Sequence, residues 1–354
     1  MNKVLRSRTL WAALVLLPSL VAGCTSCDTC AMPDDERIRL LSEIEAKSSV
    51  SLAIDGDWAL WLVALHDFPP FRLEAHDLRH GAAYVLPDRP WLPLGTPTLV
   101  GGVCYFWAMT GPDDFALAAW DWEAGTLSSV DVPVDPAKVR LINSGDSVLA
   151  LLDPDRAAVW SMEASHHLWQ RVPLRDIGGA ELTGPARTFS PEATNEHLYW
   201  LAPPDSSGWS YTIFRAKLAG GPVEIAWHGE TPIQDFDVLT FGFLLQGPEG
   251  LHVVHDGALV PLPRRGNLGL ASIAGDWVTA WDKQGDWAGD PRHDGPDYAV
   301  AIRWRDGGTV HLASRDAVRI GHVHAWNEHA VLASATRVPE GAFAVWKLEL
   351  IALA

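Results

Sequence analysis

The chain has 354 residues with a formal net charge of −17, and 48% of its residues are hydrophobic while 20% are charged. This length supports two average domains or one domain built from repeats, and the composition is that of a globular protein. The negative charge argues against a nucleic-acid partner, because binding to phosphates requires an excess of Lys and Arg. The 18 Trp, 30 Gly and 25 Pro residues favour turns and short strands over long helices.

The first 24 residues have the features of an export signal. Lys3, Arg6 and Arg8 precede the apolar run 9–22, which is too short to cross a bilayer. The run leads into L20-V-A-G-C24, which resembles the lipobox of bacterial lipoproteins. The resemblance implies that a signal peptide, residues 1–23, is removed and that Cys24 carries an acyl lipid such as palmitate.

The residue after this cysteine implies an address in the envelope. By resemblance to the sorting rule of Gram-negative lipoproteins, Thr25 in place of Asp favours the outer membrane. The lipid would then hold the protein at the outer membrane. The sequence does not indicate whether the protein faces the periplasm or the cell surface. The alternative is an ordinary secretory signal that is cut near Ala22 or Gly23.

Cys24, Cys27 and Cys30 have the spacing C-x2-C-x2-C, which metal sites also use. Zinc and iron–sulfur sites generally need four ligands, whereas acylation would consume Cys24 and only Cys104 lies elsewhere in the chain. We therefore expect Cys27 and Cys30 to form a local disulfide or to stay free in a tether, residues 24–35. Cys104 lies in an apolar, strand-like segment, which predicts a buried core thiol.

The rest of the chain, residues 36–354, repeats one unit. The phrase I54-D-G-D-W58 returns as I273-A-G-D-W277, and a Pro followed by an acidic residue recurs every 42 to 50 residues. Pro presets the backbone for the second position of a tight turn and Asp tolerates the third, so each pair predicts a hairpin turn between two apolar strands. The pairs are Pro112-Asp113, Pro154-Asp155, Pro204-Asp205, Pro248-Glu249, Pro296-Asp297 and Pro339-Glu340.

Each of the first six units contains four strand-like segments, and the chain contains seven units. This pattern predicts an all-β fold, a seven-bladed β-propeller of four-stranded antiparallel blades. The last unit lacks a fourth strand, and the segment 36–44 is predicted to supply it and close the ring, with a short helix on the tether as the alternative. The architecture resembles TolB-like propellers, and W120-D121 resembles the WD signature, although its Gly-His partner is absent. The resemblance carries no residue-level motif.

Trp residues at the repeat spacing predict packing between blades, with a sugar-stacking platform as the alternative. They are Trp58, Trp107, Trp160, Trp200, Trp277, Trp304 and Trp346. Trp209 and Trp287 lie in predicted turns and are the better candidates for contact with a ligand. His322 and His324 lie two residues apart, so they share one strand face, as metal ligands or in a structural role.

The longest predicted loop, residues 282–297, spaces Asp residues among glycines. Flexible loops of this kind bind Ca²⁺ through oxygen ligands, and Asp282, Asp286, Asp290 and Asp294 are the candidate ligands. The spacing does not fit an EF-hand, so a solvated loop without metal is the expected structure. We predict no other cofactor.

The sequence favours a binding protein that is anchored in the membrane and presents an acidic propeller face to a protein or glycan partner. The acids of the Pro-acid turns would lie at one end of the ring, because such turns project from the same end. The alternative is a hydrolase or lyase with a site in the central funnel, formed by groups such as Arg140, Glu192, Asp235 and His322. No catalytic residue is assigned, since propellers host both classes of protein and no G-x-S-x-G motif is present.

Overall fold

The structure of the chain is a computed structural model. It describes residues 35–66, 71–87, 91–111, 114–136, 138, 140–142, 147–163, 168–263, 267–283, 298–312, 317–336 and 344–353. The predicted signal peptide, the lipid-attachment residue Cys24 and the pair Cys27 and Cys30 lie outside these ranges. Within them, no helix is long and apolar enough to cross a membrane.

The described residues form seven four-stranded antiparallel sheets, numbered here as blades one to seven. Blade one contains β2 (Ser48–Asp55), β3 (Trp58–Ala64), β4 (Phe71–Asp77) and β5 (Ala83–Val85). Blade two contains β6 (Leu92–Val100), β7 (Val103–Met109), β8 (Phe115–Asp121) and β9 (Thr126–Val130). Blade three contains β10 (Leu141–Ile142), β11 (Val148–Leu152), β12 (Ala158–Glu163) and β13 (Trp169–Pro173).

The remaining blades repeat this order. Blade four contains β14 (Glu192–Ala193), β15 (His197–Leu201), β16 (Ser210–Lys217) and β17 (Glu224–Ile233). Blade five contains β18 (Asp235–Leu239), β19 (Gly242–Gly247), β20 (Gly250–His255) and β21 (Ala258–Pro261). Blade six contains β22 (Asn267–Ala274), β23 (Trp277–Lys283), β24 (Tyr298–Arg303) and β25 (Thr309–His311). Short 3-10 turns occur at Asp35–Arg37 and Ala186–Phe189.

Blade seven joins the two ends of the chain. It contains β26 (Ala317–Trp326), β27 (His329–Thr336) and β28 (Ala344–Ala352), and β1 (Ile38–Ala46) pairs with β28 as the fourth strand. The prediction of a seven-bladed propeller closed by the N-terminal strand is confirmed. Leu40, which the amphipathic pattern of this segment would place against the ring, is 52% exposed, whereas Ile44 and Ala46 are buried.

The core consists of seven hydrophobic clusters, and each is shared by two neighbouring blades. The cluster between blades seven and one contains Trp346 and Trp61, both fully buried. The Trp residues at the repeat spacing all belong to or pack against such clusters, which confirms packing between blades. They do not occupy one equivalent position, because Trp160 and Trp346 lie on third strands while Trp107 and Trp200 lie on second strands.

Antiparallel strands place successive turns of a blade at alternate ends of the ring. Turns from first to second strand and from third to fourth strand lie at one end, here named the cavity end, which includes Gly56 and Gly275. Turns from second to third strand lie at the other, here named the proline-acid end. Pro154, Pro204 and Pro248 lie there, in the predicted hairpin turns, and the other pairs lie wholly or partly outside the described residues.

The repeated phrase of the sequence is the first turn of blades one and six. Gly56 and Gly275 both adopt a φ of 56°, a left-handed conformation that glycine reaches without a steric penalty. In blade seven the same place in the turn is taken by Asn327, with a φ of 50°, and Asn is a residue that tolerates this region. The phrase therefore repeats because the same tight turn repeats.

Cys104 is the buried core thiol that its apolar surroundings predict. It lies in β7 with no exposed surface, in the cluster between blades one and two. Burial, with a smaller contribution from the charge of Asp55, raises the pKa of this thiol far above its usual range. A thiol held in its neutral form is a poor nucleophile, so the structure gives Cys104 a packing role.

Candidate functional site

A cavity of about 810 Å³ lies on the axis of the ring at the cavity end. Its wall contains residues from the first strand of every blade, from Leu52 and Asp55 in blade one to His324 in blade seven. It also contains turns between first and second strands, such as Asn195 and Thr240. This is the central funnel of the propeller, and a ligand bound in it would contact several blades at once.

Blades four and five place three carboxylates close together at this funnel. Glu192 lies in β14, while Asp235 and Asp237 lie in β18 on either side of the buried Phe236, so the two Asp residues share one side of the strand. Burial, together with the charge of Asp235, raises the pKa of Asp237 to about 7. Burial and then the charges of Asp237 and Asp235 raise the pKa of Glu192 well above its usual range. These carboxyl groups therefore keep their protons to a higher pH than isolated carboxyl groups do.

Ser190 supports the third carboxylate of this group. Burial raises the pKa of Asp235, although hydrogen bonds from the backbone amide of Phe236, at 3.0 Å, and from the Ser190 hydroxyl act in the opposite direction. Ser190 itself has a φ of 41°, a left-handed conformation that costs a non-glycine residue on the order of 1 kcal/mol. The connection from blade three to blade four is thus tied to the first strand of blade five.

His322 and His324 lie on β26, across the ring from the carboxylates. Burial lowers the pKa of both imidazoles, and for His324 the nearby His322 helps to lower it to about 4. Backbone groups of β2, at Ser49, Val50 and Leu52, hydrogen-bond to the two rings. Both side chains are therefore neutral at pH 7 and join blade seven to blade one.

The mouth of the cavity is acidic. Arg79 pairs with Asp57 at 3.1 Å between Nη2 and Oδ2, and both residues line the cavity. Asp55 Oδ2 accepts a hydrogen bond from the backbone amide of Leu99 at 3.1 Å, which joins blade one to blade two. Glu192 and Asp237 lie farther inside, so among the described residues that line the cavity the carboxylates outnumber the arginine.

The carboxylate group should make stability depend on pH. Asp titrates near 3.8 when unperturbed and Asp237 near 7 in the folded protein, so the folded form binds its proton more tightly. The stability that this proton contributes is present at low pH and is lost as pH rises from about 4 to about 7. We expect Asp237→Asn to raise the unfolding free energy at pH 8, because it removes a buried negative charge beside Asp235. The gain should be on the order of 1 kcal/mol, because the cavity is open to solvent, which screens charges.

Urea unfolding at pH 8 and pH 4 measures this effect, and Asp155→Asn, at an exposed turn of the other end, is the control. The gain should be confined to pH 8 and to Asp237→Asn. An equal change at both pH values would show that the substitution acts through packing and not through charge.

The structure brings only some of the funnel residues named from sequence together. Glu192 and Asp235 are neighbours, as the enzyme alternative requires, but Arg140 is exposed and is not among the residues that line the cavity.

Sequence reasoning missed Asp237. The alternation D235-F-D237 at the start of a blade was the available signal, because a first strand that borders a water-filled axis can carry acids on alternate residues.

The calcium prediction lies outside the described part of the chain. The backbone of Asp282 belongs to β23, while its side chain and all of Asp286, Asp290 and Asp294 are not described. Calcium at this loop therefore stays a prediction. Among the residues that the structure does describe, no group of three or more His, Cys, Asp or Glu side chains is arranged to hold a metal ion.

The proline-acid end carries exposed carboxylates in four adjacent blades. They belong to Asp114, Asp155, Asp205 and Glu249. Asp153, which the sequence groups with them, is buried, and its Oδ1 accepts hydrogen bonds from the backbone amides of Asp155 and Arg156 at 3.0 Å each. Asp153 therefore shapes its turn and is not a surface charge.

Trp209 is the turn tryptophan that the structure describes, and Trp287 lies outside the described residues. Trp209 is half-buried in the turn between β15 and β16, and its carbonyl accepts a hydrogen bond from the amide of Asp205 at 3.0 Å. It therefore lies beside an exposed carboxylate of the proline-acid end, where an indole face and a negative charge could contact one ligand.

No protein-family model and no curated protein sequence matches this chain. Its fold is similar to solved propellers. The β-propeller domain of the Trilobed protease from Pyrococcus furiosus matches with a TM-score of 0.59 at 10% identity, over 87% of this chain and 95% of that one. An oligogalacturonate lyase in complex with manganese matches with a TM-score of 0.56 at 10% identity, over 90% and 93%.

A third match is to part of a longer enzyme. The acylaminoacyl peptidase from Pyrococcus horikoshii matches with a TM-score of 0.57 at 12% identity, over 87% of this chain but only 52% of that one. The chain thus spans about half the length of that peptidase. At these identities the likeness shows the propeller fold alone.

Proposed function

We propose that this protein is a lipid-anchored binding protein of the cell envelope, held in the outer membrane through Cys24. It presents the proline-acid end of its propeller to a protein or glycan partner, and a basic protein surface fits that end best. The observation that supports this proposal is that the exposed carboxylates of Asp114, Asp155, Asp205 and Glu249 lie in the turns of four adjacent blades at this end. Propellers commonly serve as rigid binding platforms, because their turns can vary without disturbing the blades.

At the cavity end, several acids have basic partners. The ion pairs there include Arg79–Asp57 at 3.1 Å, Arg303–Asp306 at 2.7 Å and Arg305–Asp276 at 2.6 Å. At the proline-acid end, Asp114, Asp155 and Asp205 form no ion pair with any residue that the structure describes. In these turns the exposed carboxylates outnumber the one described exposed base, Arg156, so they attract a basic surface and make this end the favoured docking face.

The lipid anchor is tested at its attachment residue. We expect Cys24→Ala to release the protein into the soluble fraction or to block its processing, because several acyl chains on one residue are what hold a lipoprotein stably. Fractionation and detergent partitioning of the expressed chain measure this, with Cys27→Ala as the matched control. Membrane association of Cys24→Ala equal to that of the unaltered protein would contradict the anchor.

The acidic end is tested by reversing its charge. We expect Asp155→Lys combined with Asp205→Lys to weaken partner capture from envelope extracts, since it removes two exposed carboxylates and adds two cations. The loss should be largest at low salt, where charges act over longer distances. Quantitative capture at low and high salt measures it.

The matched control is Glu123→Lys, an exposed acid in a turn at the cavity end. It changes the net charge in the same direction and should leave capture unchanged. Capture that does not respond to the double substitution, or responds equally to the control, would show that the proline-acid end is not the docking face. Capture of a glycan and not of a protein would reassign the partner.

The alternative is a hydrolase or lyase with its site in the cavity, and one observation favours it. Glu192 and Asp237 have raised pKa values and influence each other, which is the environment that general acids and bases use. Peptide and oligosaccharide substrates incubated with the unaltered protein and with Glu192→Gln would test this. Turnover that is lost in Glu192→Gln would support the enzyme over the binding protein.

A further inference from the structure

We infer that the cavity end of the propeller faces the membrane, with a corner formed by Arg37, Arg39 and Leu40 against the phosphates of the lipid headgroups. The inference rests on the proposed lipid anchor at Cys24. It assigns opposite surroundings to the two ends of the ring: the headgroup layer for the cavity and the aqueous phase for the proline-acid end.

The direction of β1 shows where the tether leaves the ring. Ala46, the last residue of β1, lies opposite Ala344, the first residue of β28, at the proline-acid end. Ile38, the first residue of β1, lies opposite Ile351 and therefore at the cavity end. The chain that precedes β1 thus joins the propeller at the cavity end.

A chain of hydrogen bonds gives the same result independently of strand direction. The Arg39 guanidinium donates to the carbonyl oxygen of Leu78. The amide of Leu78 donates to the carbonyl oxygen of Asp57 at 2.8 Å, and Asp57 lines the cavity. The beginning of β1 therefore lies within two hydrogen bonds of the cavity wall.

The length of the tether makes this end the nearer one to the bilayer. Cys24 and Asp35 are 11 residues apart, and a chain of this length spans at most roughly 36–40 Å. A first strand such as β2 has 8 residues, so the ring is about 26 Å high along its axis. If the proline-acid end faced the bilayer instead, most of the tether would have to be extended along the outer wall of the ring. Holding the tether in that conformation costs chain entropy.

The corner where the tether joins has the chemistry of a membrane contact. Arg37 and Arg39 are exposed, as is the acid Glu36 beside them, and Leu40 is 52% exposed. The nearby Arg79 is paired with Asp57. Basic side chains are attracted to anionic headgroups, and an apolar side chain beside them can enter the interface. Such a corner is notable in a chain of net charge −17.

Energy transfer to the bilayer tests the orientation. The lipidated full-length mature protein, with Cys27→Ser and Cys30→Ser, is placed in vesicles of phosphatidylcholine and phosphatidylglycerol that contain a headgroup-linked acceptor. A donor dye is attached at Thr240→Cys, in an exposed turn of the cavity end, or at Ser206→Cys, in an exposed turn of the proline-acid end. The two positions lie in neighbouring blades, so they differ mainly in height along the axis.

We expect higher transfer from position 240 than from position 206. Flotation of the vesicles, measured on the same samples, reports the anchor separately. Flotation with equal transfer, or with higher transfer from position 206, would overturn the orientation alone. A protein that does not float would overturn the anchor and the orientation with it.

The basic corner is tested by Arg37→Glu, with Arg156→Glu, an exposed arginine of the proline-acid end, as the matched control. Arg37→Glu should reduce the difference in transfer between the two dye positions, and Arg156→Glu should not. If both substitutions changed the difference in transfer equally, the proposed contact between Arg37 and the headgroups would be wrong.

Discussion

A mature chain that begins at Lys47, and so lacks β1, is expected to lose several kcal/mol of unfolding free energy relative to a chain that begins at Asp35. Ile44 and Ala46 are buried in the cluster between blades seven and one, where they lie with Trp346. Burial of a side chain such as Ile is worth about 1.5–3 kcal/mol, and the backbone hydrogen bonds along β28 would be lost as well. The ring would be left with an open, apolar edge.

The loss would extend to a buried carboxylate of blade one. Glu74 is 2% exposed, and burial acts to raise its pKa, but hydrogen bonds with His76 and with Ser42 of β1, and the charge of Arg72, bring the pKa below its usual range. Without β1, Glu74 loses the Ser42 hydroxyl and part of its cover. A buried carboxylate that loses a partner destabilises the fold.

Thermal and urea unfolding of the two truncated chains measure this prediction, and the chain from Asp35 controls for loss of the tether alone. Equal midpoints for the two chains would show that blades one to seven hold together without β1. Binding of a dye that recognises apolar surface should increase only in the chain from Lys47.

Trp200→Ala is expected to lower the unfolding free energy by about 3–5 kcal/mol, the usual range for removal of a large buried aromatic side chain. Trp200 has no exposed surface and packs edge-on against Phe214, with ring centroids 6.2 Å apart, in the cluster between blades three and four. Its Nε1 donates a hydrogen bond to the carbonyl oxygen of Arg175 at 3.1 Å. The substitution would therefore leave a cavity and free the connection between the two blades.

Two variants make this result specific. Trp200→Phe keeps most of the apolar bulk and removes the hydrogen bond, so it should lose less stability than Trp200→Ala. Trp209→Ala removes a half-buried turn residue and should lose less again. Urea unfolding of the three variants gives the comparison, and a loss for Trp209→Ala as large as that for Trp200→Ala would contradict the assignment of Trp200 to the core.

The sequence was informative wherever structure is set by local chemistry. Turn residues at regular spacing predicted the blades, because Pro and Asp restrict the backbone of a tight turn whatever its surroundings. The segments assigned to the last blade gave only three strands, and the apolar residues of segment 36–44 predicted that this segment forms the fourth. Within that strand the pattern was a poor guide, since Leu40 is exposed while Ala46 is buried. A register shift between Leu40 and Ser42 interrupts the simple alternation of faces.

The sequence by itself determined the repeat, its seven copies and the closure of the ring, since each depends on residues that are close in the chain or equally spaced. Only the tertiary structure decided which side chains meet at the axis. Glu192 and Asp237 lie 45 residues apart in the chain and influence each other because neighbouring first strands converge there. The tertiary structure also decided which acids keep an exposed charge. Asp153 and Asp155 share one turn, but Asp153 is buried and accepts hydrogen bonds from backbone amides, whereas Asp155 is exposed. Burial and charge proximity arise from contacts between distant segments, and residue spacing alone does not encode them.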